Sequence, residues 1–323
     1  MSLSISTYKP FYKANLKLAL PVILSQLGQI TVQLADTAMV GHYGGDDPNP
    51  LAAVSYASNL FFIVFIAVMG VTFGLTPLVG EHYAKGNKAH AAKLLKNGAV
   101  LFTTISIATT LLLIALRPLF GKMGSIMIAS GSDASITEVT DMALPYYDML
   151  LWSLLPVMIW GTVKQFLEGI GNTRIAMVTI IIANSLNIFL NWVLIFGKFG
   201  IEPMGAVGAG LATLIARIVQ CIMLVSYFAY APKFKEYTSL LFSRTRLSIN
   251  AMREILRVGA PISFQMTMEA SAFTVAGLLV LAFGAHSVSA YQIGVNMMNV
   301  TFMIVIAIGS ATTIICSHIY GRK

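Results

Sequence analysis

The sequence predicts an all-α polytopic membrane protein, and three observations carry that expectation. Of its 323 residues, 57% are hydrophobic and only 11% charged, with a mean hydropathy of +0.78, which excludes an ordinary soluble domain. Apolar runs of about 20 residues, the length that crosses a bilayer as a helix, recur along the whole chain. Finally, the basic residues are unevenly placed. With the N-terminus in the cytoplasm, only Arg117, Lys122 and Lys198 of the 21 Lys and Arg residues fall outside, and Arg217 falls within a span. This is the positive-inside pattern, so the net charge of +8 reports topology and not a nucleic-acid partner.

Eight spans follow, over 16–43, 51–80, 94–116, 142–167, 174–197, 205–230, 255–283 and 287–319. The first is the run LALPVILSQLGQITVQLADTAMV. The second contains Gly70 and Gly74, a GxxxG pair suited to close helix packing. The fourth carries Asp148, the fifth a face of asparagines, and the sixth opens on GAVGAG and contains Thr213 and Arg217. That glycine run imitates part of a nucleotide-binding loop, but it opens a span with no preceding soluble strand, so it reads as helix packing. The seventh contains Glu269. Connections are short except 117–140 and 231–253. The latter begins near Pro232 and is rich in Lys and Arg, as expected of a linker with an amphipathic helix at the membrane surface.

Enzymatic chemistry finds no footing. Cys221 and Cys316 lie within spans without a paired motif, the five histidines sit at span ends or loops without the i, i+4 spacing of a helical metal site, and neither GxSxG nor HExxH occurs. The first apolar run is long and lacks a cleavage site of small residues, so it reads as a span and not a signal peptide. No cofactor is expected.

The chain also repeats itself. An offset of 240 residues places Pro21 on Pro261 and Gly44 on Gly284, and aligns KLALPVILS with RVGAPISFQ; an offset of 236 then pairs EHYAKG with SHIYGR. Spans one and two thus resemble spans seven and eight. Two halves of one span pattern are typical of secondary transporters. The expected organisation is a six-helix lobe over 1–231, a cytoplasmic linker over 232–253, and the first two helices of an incomplete second lobe over 254–323.

Polar residues inside the spans point to what such a bundle does. A charge at the centre of a membrane helix costs roughly 2.5–3.5 kcal/mol on insertion scales, so Asp36 in the first span asks for a use. Gln26, Gln29, Gln33 and Asp36 are spaced to share one helical face, as are Asn184, Asn187 and Asn191 in span five. Counting about 1.5 Å per residue from the outer ends puts Asp36, Asn191, Thr213 and Asp148 at comparable depth, so that four helices present oxygen atoms in one layer. Such a layer suits a proton on the carboxylate, or Na⁺ held by Asp36, Asn187 and Asn191. The bland alternative is that the amides only join helices by hydrogen bonds, and for Asp148, near the interface, that alternative is the preferred one. Glu269 lies deeper and suits a cation or a cationic substrate. Arg217, one turn from Thr213, is placed to pair with a carboxylate or with carbonyl groups. Met266, Met268, Met297 and Met298 suit either an adaptable apolar pocket or plain packing.

The segments LALPVILSQLGQITVQLADTAMVGHYG, GVTFGLTPLVGEHYAKGN, FLEGIGNTR, LNIFLNWVLIFG, GAVGAGLATLIAR, LRVGAPISFQMTMEASAF and YQIGVN together resemble the multidrug and toxin extrusion (MATE) family, particularly its NorM-type branch. The resemblance extends across nearly the whole chain. It implies a MATE-like two-lobe helical bundle in the inner membrane that exchanges inward H⁺ or Na⁺ for outward organic, often cationic, compounds by alternating access. By position, Asp36, Asn187, Asn191 and Thr213 match the family's cation site, with Gln33, Asn184 and Arg217 as supporting residues, and Glu269 matches the acid of span seven. Family members have twelve spans, so the resemblance also implies that the last four are absent here. A non-transporting membrane subunit or fragment, and a lipid-linked sugar flippase of related architecture, are the alternative readings.

Overall fold

The first apolar run forms one long helix, α1 (Ile5–Gly44), because no proline beyond Pro21 and no polar cluster interrupts it. The computed structural model describes residues 5–45, 47, 49–119, 135–242, 247–281 and 285–322, and among these every regular element is helical. Lys122, Gly284 and most of the 117–140 connection, named above, lie outside the described residues, as do Arg244, Arg246 and Lys323, and of the side chains of Lys9 and His286 nothing is described.

The second predicted span is two helices end to end, α2 (Asn49–Thr72) and α3 (Leu75–Ala84). The break has a local cause. Pro77 has no N–H to offer the carbonyl of Phe73, and Phe73 and Gly74 instead close tight turns onto Gly70 and Val71. Pro77 then sits in the first turn of α3, where a missing donor is tolerated. A left-handed Gly86 reverses the chain into α4 (Lys88–Ala115), whose N-cap Asn87 accepts the His90 amide at 3.0 Å.

After the undescribed stretch come α5 (Ser135–Gly169), α6 (Arg174–Phe196) and α7 (Gly205–Tyr230). Between α6 and α7, Gly197 and Gly200 take positive φ; at Gly197 a Cβ would meet the ring of Pro203, so only glycine allows the turn. Pro232–Phe234 forms a short 3₁₀ turn that leads into α8 (Lys235–Phe242), which lies against α4 and is tied to it by the Lys88–Glu236 ion pair at 2.7 Å. Burial of Tyr237 beside Phe166 pushes its hydroxyl up to about 12. The chain closes with α9 (Ile249–Leu281) and α10 (Ala285–Gly321).

Among the described residues, seven segments are long and apolar enough to cross a membrane: Tyr12–Gly44, Asn49–Ala84, Lys88–Ala115, Val139–Gly169, Arg174–Phe196, Gly205–Tyr230 and Met297–Gly321. The expected seventh span is not among them. It is helical as α9 (Ile249–Leu281), and its last turns include residues whose side chains are not described. What stands is an all-α polytopic membrane bundle.

Helix α5 is the axis of that bundle, packing against α2, α3, α4 and α7 through buried Leu150, Leu151, Leu154, Met158, Phe166 and Leu167. The last two helices lean on the first ones, α9 on α2 and α10 on α1 and α3. They meet along a seam of small residues. A Cβ on Gly70 would lie 2.6 Å from the Ser263 Cα, one on Gly74 would lie 2.6 Å from the Gly259 Cα, and one on Gly80 would strike Ser317. Both GxxxG glycines therefore do mediate close helix packing. Hydrogen bonds from Asn15 Nδ2 to Thr312 Oγ1 (2.8 Å), from Ser263 Oγ to the Ala67 carbonyl (2.5 Å) and between His318 Nε2 and the Gly169 carbonyl (2.7 Å) fasten the same seam. These contacts run from the middle of the α2–α3 segment to the end of the bundle that carries Lys85, Lys88 and Arg322.

Candidate functional site

Asp36 lies in the other half of the bundle, two turns from the end of α1, and is half-buried. Facing it is the asparagine stripe of α6. Because α1 packs against α6, and α6 against α7, a carboxylate on α1, amides on α6 and a hydroxyl on α7 converge. Asn191 Nδ2 donates a short hydrogen bond to Asp36 Oδ1 and lies 3.2 Å from Asn187 Oδ1. Asn187 Nδ2 in turn donates to Thr213 Oγ1 at 3.4 Å, and the threonine hydroxyl donates to the Ala209 carbonyl at 3.0 Å. The four residues form one continuous chain of hydrogen bonds.

Asn187 and Asn191 are 4% and 0% exposed, so their polar atoms have no access to bulk water. The Asn191 carbonyl oxygen is buried with no hydrogen-bond partner. Leaving a buried acceptor unpaired costs roughly 1–3 kcal/mol, and such a group in a folded protein calls for an explanation such as an ion. The cluster thus offers a carboxylate, two amide oxygens and a hydroxyl, one oxygen of which is unused.

Not every expected residue joins. Asp148 does not belong to this layer: it forms an ion pair with Arg117 at 2.9 Å. Its direction around α5 turns Asp148 toward Arg117 beyond the end of α4, in keeping with the preferred reading of it as a structural acid near the interface. Arg217 is placed on the neighbouring turn of α7, within electrostatic reach of Asp36 and Tyr146. Its guanidinium donates to Ser153 Oγ at 2.6 Å and stacks over the rings of Phe61 and Phe65 at 5.7 and 5.3 Å, so its contact partners are a hydroxyl and two aromatic faces and not the carboxylate. Asn184 is beside Gly28, where a Cβ would lie 3.1 Å from its Nδ2, and that nitrogen is buried without a partner. Gln29 and Gln33 are exposed and Gln26 half-buried. Glu269 is half-buried on α9 and apart from the Asp36 group, and among the described residues it has no hydrogen bond or ion pair.

One charged pair was not anticipated. Lys164 and Glu168, 9% and 4% exposed, face each other at 3.7 Å one turn apart near the end of α5. The ammonium also sits over Trp160 at 5.3 Å. Next to them Gln165 accepts from the Thr76 hydroxyl at 2.6 Å. The i, i+4 spacing of opposite charges was present in the sequence as a signal.

Comparison with known proteins gives this geometry its context. The MatE family model matches residues 21–193 and 261–323. The chain is 30% identical over 314 residues to the probable multidrug resistance protein NorM of Halalkalibacterium halodurans, covering 96% of this chain and 65% of that protein. It is 28% identical to the multidrug resistance protein NorM of Vibrio vulnificus, covering 98% and 66%. Among solved structures, an outward-facing multidrug resistance MATE family transporter of the MOP superfamily superposes with a TM-score of 0.81 at 22% identity, covering 96% of this chain and 66% of that one. The eukaryotic MATE transporter AtDTX14 gives 0.78 at 19%, covering 98% and 66%. These likenesses show a shared fold, and the chain spans just under two thirds of the length of the relatives it matches. The chain therefore belongs to the multidrug and toxin extrusion family, in its NorM-like branch.

Proposed function

We propose that this chain is the ion-coupling part of an exporter that exchanges H⁺ or Na⁺ for small organic, often cationic, compounds. The observation that carries the reading is the unpartnered, buried oxygen of Asn191, the residue that links Asp36 to Asn187 and Thr213 in one hydrogen-bonded chain. A cation arriving there gains the Asp36 carboxyl group and an oxygen already stripped of water. Binding shifts the balance between two arrangements of the bundle only by the difference in affinity between them, about 1.4 kcal/mol for each tenfold change in population.

In this reading residues 1–231 form the first lobe, 232–253 the linker and 254–323 the beginning of the second lobe, with α9 as the eighth membrane span. The N-terminus and the basic end face the cytoplasm of a cell whose inner membrane holds the chain. The seam of α9 and α10 against α1–α3 then lies on the cytoplasmic side, as in an outward-facing carrier, and substrate leaves on the side where Asp36 takes up its ion. Glu269, with no partner among the described residues, is assigned to a cation or cationic substrate in the second lobe. Solved MATE relatives in complex with MaL6 and with Br-NRF support small-molecule binding within this fold. A flippase for anionic lipid-linked sugars is disfavoured, because Arg217 is already engaged by Ser153, Phe61 and Phe65.

The test uses proteoliposomes loaded with a fluorescent organic cation. A Na⁺ gradient at constant pH is compared with a pH gradient without Na⁺. Export driven by one gradient identifies the coupling ion; dye that binds and is moved by neither refutes the exporter and favours a non-transporting membrane subunit.

A further inference from the structure

At the basic end of the bundle, far from Asp36, three side chains from three helices converge. His82 comes from α3, His90 from α4 and Glu254 from α9, and one ligand atom from each lies within 4.8 Å of the other two. The imidazole rings stack with centroids 3.9 Å apart and planes inclined by 32°. His90 Nε2 is 3.9 Å from Glu254 Oε2, too long for a hydrogen bond. His82 Nδ1 and His90 Nε2 are both buried atoms with no hydrogen-bond partner.

Two stacked imidazoles, each with an orphaned nitrogen, beside a carboxylate are poorly explained by packing alone. A neutral imidazole nitrogen without a donor is a lone pair in search of an acid, and a proton or a metal ion supplies one. Two protons would set like charges against each other at stacking distance, whereas one divalent ion satisfies both nitrogens and the carboxylate at once. The neighbouring Lys85 ammonium is held by Glu81 at 2.5 Å, so it does not compete for Glu254.

We propose that His82, His90 and Glu254 form a binding site for Zn²⁺ or a similar borderline transition-metal ion. Two imidazole nitrogens and one carboxylate oxygen form a common zinc donor set, and a fourth, open position is filled by water. The His90 and Glu254 side chains are 31% and 40% exposed, which leaves that position reachable from solvent. A tetrahedral ion with Zn–N bonds of about 2.0–2.1 Å needs its ligands roughly 3.3 Å apart. Because α9 follows the 232–253 segment while α3 and α4 precede it, the bound ion fastens the last pair of helices to the first group. Zn²⁺ therefore holds the seam shut.

The test titrates the intact, tag-free chain in nanodiscs with Zn²⁺ against a fluorescent zinc indicator. One ion per chain is expected, together with a rise in melting temperature on saturation. His90→Gln and Glu254→Gln each weaken binding by about tenfold or more, while His90→Cys, which restores a zinc ligand, retains it. The same variants melt like the parent protein without metal. Absence of stoichiometric binding, or binding left unchanged by both Gln variants, overturns the proposal. Neither outcome bears on ion-coupled export, which depends on Asp36.

Discussion

Asn191 donates to the carboxylate of Asp36 across the α1–α6 interface, a bond joining residues 155 positions apart in the chain. The bond engages the amide nitrogen of Asn191 and so leaves its single side-chain oxygen as the unpaired atom. The position of one helix relative to another thus determines the chemistry that the site offers.

Asp36→Asn retains the size of the side chain and an oxygen acceptor but removes the charge. Ion-driven export is expected to fall by about tenfold or more, with helicity and melting temperature unchanged, since a neutral amide costs less than a charge in the bilayer. Coupled export at the parental rate by this variant would falsify the assignment.

Asn191→Ala removes both the donor to Asp36 and the unpaired oxygen. Loss of one good ligand is expected to weaken ion binding by about tenfold, or ~1.4 kcal/mol. Isotopic Na⁺ binding, or proton release on substrate addition, reads this directly; unchanged affinity would show that the oxygen is a packing defect and not a ligand.

Gly74→Ala forces a methyl group against the backbone of Gly259. Overpacking of this kind costs about 1–3 kcal/mol, so thermal unfolding in detergent should occur at a lower temperature. Gly309→Ala, on α10 with nothing within 4 Å of its added methyl, is the control and should not destabilise.

Glu168→Gln leaves Lys164 buried and unpaired, at a cost of about 3 kcal/mol. The double change Lys164→Met with Glu168→Leu replaces the pair by apolar side chains and should recover most of that loss. Equal destabilisation of the single and double variants would show that the pair's contribution is packing rather than charge.

Sequence reasoning reached the Asp36 site because both of its signals are local. Spacing places Asn187 and Asn191 on one face, and residue counting places Asp36 and Thr213 at their height. Asp148 shows where this ends: depth is readable from residue number, but the direction in which a helix is turned depends on its neighbours. The span expected over 51–80 stands as one membrane-crossing segment, Asn49–Ala84, but it is built of α2 and α3 because Pro77 withholds a donor from the carbonyl of Phe73. Lys164 was assigned to the cytoplasmic rim as one more positive charge, and only the continuation of α5 to Gly169 buries it with Glu168. The His82, His90 and Glu254 group was beyond any spacing rule, since its members come from three helices separated by up to 172 positions.

The seam between Gly70, Gly74 and Gly259 joins its helices backbone to backbone, with few interdigitated side chains. Knobs set into holes must be withdrawn against close packing and must find new rotamers afterwards. Two smooth rods in contact have no such teeth, so they slide or part with little reorganisation on either side. A joint of this make has no side-chain teeth to disengage at those glycines, and the hydrogen bonds at Asn15, Ser263 and His318 act as its latches.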